Sequence, residues 1–492
     1  MTVPILVVLV AYGLVLLGIG LWSRGASRDV AGYYVASKQL PSWVIAFSSN
    51  ATGESAWLLL GLTGMGYAVG IHALWVVLGE VLGVALGWVF VASRFKEYTD
   101  RYDSVTVPDF LEARFGDVKN VFRWVSLVII FSMVTAYTAA QFNALGTAFD
   151  SFLGLERVTG ILLAAVIVLF YTTVGGLKAV AYSDLLQGGL MFLGLLILPF
   201  VGLAAAGGWQ ETMTVLRADD PALLAPMGSF GLALPGIISA ISFVGVGLAF
   251  LGAPQLLVRF MSARSRRDIV DGGLVAVICV IVFDLGAVFS GMAGRAVFPG
   301  LANAETILPT MTAQLFPAVF TGIFLVVVLA ASMSTVDSLV ILASSSIAHD
   351  IVQKIYRPRL TTEQISTIGK MTTVVIGTLG VGFALGEVRV IFWFILFAWA
   401  GLASAFTPVV LCALFWHRTT KAGAVAGMIA GFVTAMVWVV WFKAITHDLY
   451  EMIPGFLAGF ATTIVVSLLT DPPEGAREEL EDVARTVGRP FG

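Results

Sequence analysis

Charged residues are scarce in this chain. Asp, Glu, Lys and Arg make up 12% of its 492 residues against 58% hydrophobic, where soluble domains carry about 25% charge. That scarcity excludes an ordinary soluble domain and points to a membrane protein. Cysteine is nearly absent too: Cys279 and Cys412 both lie inside apolar runs, which excludes a disulfide framework and reads as two buried thiols. The histidines, His72, His349, His417 and His447, fall near the ends of apolar runs or between them. With no H-E-x-x-H, G-x-S-x-G or Cys/His cluster, an enzyme is not expected. A net charge of −3 without a basic tract gives nucleic acid nothing to hold. The first apolar run, Pro4 to Trp22, lacks a basic n-region and an A-x-A site, and is expected to be a retained span.

A spanning helix needs about 20 mainly apolar residues. Thirteen runs qualify, near 4–23, 42–70, 73–93, 121–149, 157–175, 182–206, 231–255, 271–296, 314–342, 367–386, 390–416, 422–445 and 450–470. The expectation is an all-α integral membrane protein of about 13 spans, with the runs at 42–70 and 314–342 long enough to be divided. Residues 1–470 read as a single transmembrane domain, and 471–492, acidic and proline-containing, as a solvated cytoplasmic tail. With the N-terminus outside, 23 of the 28 Lys and Arg fall on the cytoplasmic side, leaving Arg157, Arg217, Arg295, Arg389 and Lys443 opposite. Cytoplasmic loops concentrate Lys and Arg, so the expected orientation in the cell's inner membrane is N-terminus out and C-terminus in.

Five acids fall well within the runs: Glu54, Glu80, Asp184, Asp284 and Asp337. Ionisable groups there are costly and mark ion or substrate paths. No Lys or Arg reads as comparably deep, since Lys178 and Arg259 fall near cytoplasmic edges. The acids must therefore be protonated, reached by water, or matched by cations from outside; neutral acids hydrogen-bonded between helices are the alternative for Glu80 and Asp284. The ninth run contains "LAASMSTVDSLVILASSS" (Leu329–Ser346), which puts Ala331, Ser334, Thr335 and Ser338 on one helix face with Asp337 at its edge. Such oxygens suit a hard cation such as Na⁺, although small hydroxylated residues also let spans pack closely. The second run spends its middle on "SSNATGESAWLLLG" (Ser48–Gly61). Ala51-Thr52-Gly53 is a weak helix former, and a break there would free carbonyls, tolerable in a membrane where they line a cavity or bind something.

At these residues the chain resembles the solute:sodium symporters, and the sodium/proline symporters among them. The resemblance rests on "SAWLLLGLTG" (Ser55–Gly64), "TVPDFLEARF" (Thr106–Phe115), "GGLKAVAYSDLLQ" (Gly175–Gln187), "RFMSA" (Arg259–Ala263), "ASMSTVDSLV" (Ala331–Val340) and "FAWAGLASAFTPVVL" (Phe397–Leu411), in order along nearly the whole chain. It implies a leucine-transporter-type fold of two inverted five-helix repeats, about 42–206 and 231–416, with broken second and seventh spans. It also implies a Na⁺ held by the carbonyls of Ala51, Glu54 and Ala331 and the hydroxyls of Ser334 and Thr335. In some relatives a second cation uses the acid matching Asp184, and here Asp337 and Ser338 stand beside that position. The implied substrate pocket takes Ser55, Trp57, Tyr137, Phe250 and Pro254.

The departures from the resemblance concern the solute. Proline carriers have Asp where this chain has Gly53, and Glu54 follows it. They have Trp, Tyr and Gln where Val246, Phe250 and Ala253 stand. A wider, less polar pocket with a carboxylate at Glu54 fits a small organic solute such as proline, a related amino acid, or a larger or cationic amine. Proton coupling on the same fold is the rival reading, because the five acids could relay protons. A transporter-like sensor would need a signalling segment after the last span, and none is read there.

Overall fold

The computed structural model describes residues 3–386 and 391–488, whose regular elements are all helices joined by turns and loops, with one isolated two-residue bridge. Among them ten helical stretches are long and apolar enough to cross a membrane, and Met452–Leu468 is a shorter apolar helix. The thirteen runs read from the sequence fall on these stretches. Ser42–Arg101 carries two, parted at Gly70–Ala73, and Arg157–Ala205 carries two, parted at Gly176. Arg389, Arg489 and the first residue of the 390–416 run lie outside the described residues.

Two helices break in mid-course. In the Ser42–Ala56 helix, Ser55 takes φ 56°, ψ −168°, a backbone region that costs a non-glycine residue about 1–3 kcal/mol. The hinge thus falls two residues beyond the weak Ala51-Thr52-Gly53 triplet. The amides freed by the break find partners: Ala56 N–H donates to Gln141 Oε1 at 3.3 Å, and Trp57 N–H to Ser55 Oγ at 3.2 Å. The second break parts Leu234–Gly245 and its 3₁₀ continuation Val246–Leu251 from Pro254–Ser262, with Gly252 and Ala253 non-helical between. Pro254 opens the new half-helix, where its missing N–H costs nothing.

Close packing sets the breaks beside their neighbours. A Cβ on Gly247 would stand 1.8 Å from the carbonyl oxygen of Gly79, so these two backbones approach as only glycines allow. That contact puts Glu80 beside the 3₁₀ stretch that leads to the seventh span's break. At the other end of the bundle, Leu40 N–H donates to Ser262 O at 3.1 Å and Arg264 N–H to Leu40 O at 2.9 Å, tying the entry of one broken span to the exit of the other.

The end that gathers the basic loops is held by an ion network. The "TVPDFLEARF" segment forms the helix Val107–Phe115, capped by Thr106. Arg123, 2% exposed, pairs with Asp109 at 2.7 Å and Asp350 at 2.6 Å and also reaches Glu112; His349 Nε2 meets Asp109 at 2.7 Å. Burial pushes the Asp109 carboxyl up, but facing His349 and Arg123 outweigh it and hold it below the usual carboxylate range. The tail is more than a solvated segment. Its helix Ala476–Val487 buries Val483 and Val487, and Asp482 pairs with Arg101 at 2.7 Å.

Arg123→Gln leaves two buried carboxylates short of a partner and is expected to cost about 3–5 kcal/mol, read as a lower Tm of the detergent-purified protein. Because the folded state depresses the Asp109 pKa, that carboxylate's contribution is full above the unfolded value near 4 and fades as the pH falls below it.

Candidate functional site: the helix break and the ninth span

The oxygen-rich face of Ala318–Ser345 lies against the broken helix. Ser334 Oγ donates to Ala51 O at 2.9 Å and to Ala331 O at 3.1 Å. Thr335 Oγ1 donates to Thr52 O at 3.2 Å and to Ala331 O at 3.3 Å. Four of the five residues expected around Na⁺ therefore converge: Ala51, Ala331, Ser334 and Thr335, all fully buried. The Thr52 carbonyl, absent from the expected set, joins them. The fifth, Glu54, offers its carbonyl at the break, where it accepts Trp57 N–H. Neutral carbonyl and hydroxyl oxygens with no nitrogen or sulfur among them fit a hard monovalent cation.

One helical turn further on, the structure corrects the sequence reading. Arg259 is 1% exposed, not at an edge. Its guanidinium meets Asp184 Oδ2 at 3.1 Å, Ser48 Oγ at 3.1 Å and Thr52 Oγ1 at 2.9 Å, and also reaches Ser338 Oγ. Asp184 and Ser338 share the Arg259 guanidinium, and Ser338 Oγ donates to Asp337 Oδ1 at 3.1 Å while Tyr171 OH donates to Asp337 Oδ2 at 2.7 Å. The positive charge among them is the protein's own. The depth follows from the break: Arg259 is five residues into a half-helix that starts at Pro254, about 8 Å at 1.5 Å per residue. A seventh span read as one continuous helix hides this.

The expected pocket residues cluster on the other side of the break. Tyr137 and Phe250 both set edges against Trp399, with centroids 6.5 and 5.4 Å apart, and Trp399 Nε1 donates to Val246 O at 3.4 Å. Ser55 is the hinge and Trp57 lies two residues past it, while Pro254 is buried at the head of the half-helix. The sequence alone does not single out Trp399 or Gln141; the one sits in the quoted "FAWAGLASAF" segment, and the other is one of two amides, with Asn143, in an apolar run. Phe250 takes the room a side chain at position 53 would need: a Cβ on Gly53 would lie 2.7 Å from its Cε1. From the end of the bundle opposite the tail, a cavity of about 340 Å³ reaches Trp57, Val246 and Tyr450. Beside Arg259 and Ser338 the space is about 10 Å³.

Beneath Trp57, oxygens of Glu54, Glu80 and Asp284 lie within 4.8 Å of one another, and the three residues are 2%, 3% and 0% exposed. No Lys, Arg or His pairs with them among the described residues. Of the five buried acids, Asp184 has a built-in counter-charge and this trio has none.

Two discontinuous helices meeting at mid-depth, with freed carbonyls facing hydroxyls and a cavity open from one end, define a secondary transporter of the leucine-transporter fold. The model of the sodium:solute symporter family matches residues 33–431, and the chain belongs to that family. It is 33% identical over 477 residues to the high-affinity proline transporter PutP of Bacillus subtilis, covering 96% of this chain and 99% of that one. It is 34% identical to a sodium/proline symporter of Staphylococcus aureus (strain JH9), covering 95% and 93%. Among solved structures, a Na⁺-coupled sialic acid symporter in a substrate-bound outward-open state superposes with a TM-score of 0.82 at 18% identity, covering 96% of this chain and 99% of that one. MhsT in complex with L-phenylalanine gives 0.56 at 14% identity, with 87% and 98% covered. The chain is thus a multi-pass Na⁺-coupled symporter of a small solute, and not an enzyme.

Gly53→Ala is expected to lower Tm, because its methyl meets a ring already wedged against Trp399 and overpacking costs about 1–3 kcal/mol. Adding Phe250→Leu should recover most of the loss; equal Tm values for single and double variants would contradict this packing.

Proposed function

We propose that the chain carries proline or a related amino acid or amine into the cell with Na⁺, by alternating access of two inverted repeats, about 42–206 and 231–416. The observation that carries this reading is the meeting of Ser334 and Thr335 hydroxyls with the Ala51 and Thr52 carbonyls at the break. A Na⁺ ligated there would join the broken helix to the ninth span and order Ser55, Trp57 and Tyr137 for the solute. The gradient supplies the work: an inside-negative potential contributes about 2.3 kcal/mol per charge per 100 mV. The name of the B. subtilis relative supports proline. The orientation, N-terminus outside and tail inside, rests on the distribution of Lys and Arg and puts the 340 Å³ cavity on the outer face. At the second locus a cation among Asp184, Asp337 and Ser338 would have to displace Arg259.

One observation favours a second reading, a cationic amine. Three buried carboxylates without a counter-charge must share protons or receive a cation, and an amine entering past Trp57 brings one. A carrier that instead protonates the trio is the proton-coupled alternative.

Labelled proline in proteoliposomes is expected to accumulate under an inward Na⁺ gradient and not under K⁺. Ser334→Ala with Thr335→Ala should raise the half-saturating Na⁺ concentration roughly tenfold or more, at about 1 kcal/mol per lost oxygen. An unchanged Na⁺ dependence would refute the site, and uptake driven in K⁺ by a pH gradient would favour proton coupling. Should cationic amines compete better than proline in the parent and lose that advantage with Glu80→Gln and Asp284→Asn, the cationic reading stands.

A further inference from the structure

A groove of about 440 Å³ runs down the outside of the bundle between the spans ending in Ser93–Arg101 and starting at Arg266, far from the solute cavity. Most of its wall is apolar and faces outward: Phe90, Val270 and Leu274 are 45%, 54% and 68% exposed, on helices that cross the membrane. An apolar channel on that face is where acyl chains lie.

Its tail-side end is different. Arg94 and Arg266 both line it. Arg94 lies over the Phe415 ring at 4.6 Å and donates to Leu414 O at 3.3 Å. Arg266 Nη1 donates to Thr486 O at 3.0 Å, and its Nε is buried without a partner. The contacts recorded for each are backbone carbonyls or a ring; among the described residues neither has a carboxylate in ion-pair range. Nearby acids are committed to other arginines: Glu97 to Arg101 at 2.7 Å, Asp268 to Arg264 at 2.9 Å and Asp271 to Arg267 at 3.7 Å. Val487 and Gly488 of the docked tail close that end. Two guanidiniums at the mouth of an apolar groove are therefore left for an anion that reaches them from the bilayer.

We infer that this groove binds an anionic phospholipid, its phosphate on Arg94 and Arg266 and its acyl chain along Phe90, Val270 and Leu274. Guanidinium forks match phosphate oxygens, and basic pockets between spans on the cytoplasmic side hold anionic headgroups. A zwitterionic lipid has the same chains but brings its own cation, so charge complementarity selects the anionic class. The bound lipid would also brace the tail, since Arg266 holds both the groove and Thr486.

The full chain, delipidated in an uncharged detergent, is titrated with dioleoyl-phosphatidylglycerol or dioleoyl-phosphatidylcholine while Tm and lipid adducts by native mass spectrometry are read. Phosphatidylglycerol is expected to raise Tm saturably with one retained adduct, and phosphatidylcholine is not. Arg94→Gln with Arg266→Gln should weaken the effect about 30-fold, taking roughly 1 kcal/mol per basic residue. Leu274→Trp, which leaves both arginines and fills the groove, should also abolish it, and serves where the double variant does not fold. Arg267→Ala, at a side chain 90% exposed, should leave it intact. An equal response to phosphatidylcholine or to inorganic phosphate alone, or full retention of the response in Leu274→Trp, would overturn the site.

Discussion

A helix interrupted inside a bilayer leaves amide and carbonyl groups with no water to satisfy them, and this structure is organised around two such interruptions. At Ser55 the loose amides are taken by Gln141 and by Ser55 itself, while the carbonyls of Ala51 and Thr52 turn to the ninth span. The break is thereby stabilised on one side by fixed side chains and on the other by hydroxyls that a cation can replace as partners. Strain at Ser55 persists because its surroundings over-determine it. The opening of the seventh span at Gly252–Ala253 lets the half-helix that carries Arg259 start at Pro254, from where Arg259 reaches Asp184.

Charge shows the same constraint at three depths. Toward the tail, Arg123 gathers Asp109, Glu112 and Asp350 into a closed network. At the second locus Arg259 answers Asp184 and lies near Asp337 through Ser338. Only at the solute side do Glu54, Glu80 and Asp284 stand without a protein cation among the described residues. Two of the three acid clusters thus carry a positive charge supplied by the protein itself, and the third carries none among the described residues.

Much of this was readable from residues. The apolar runs, the Ser334–Thr335 face and the polar insert at Ser48–Ser55 are local patterns, and each leaves a direct trace in the chain. The tertiary consequences were less visible. Arg259 reads as an edge residue while the seventh span is treated as continuous, and only the break puts it beside an acid 75 positions away. Trp399 and Gln141 look like filler because their roles depend on helices far off in sequence. In the sequence, Gly53 and Phe250 read as two separate departures from the proline carriers. The structure puts the two positions in contact, with the Phe250 ring lying where a side chain at 53 would project.

The central claim is that cation binding at the break orders the solute pocket. Calorimetric titration of the purified protein with its transported solute, in Na⁺ and in K⁺, tests it most directly when paired with Na⁺ titrations with and without solute. Coupling through the break predicts that Na⁺ tightens solute binding and that solute tightens Na⁺ binding by the same factor, as linkage requires. Equal solute affinity in Na⁺ and K⁺ would contradict it.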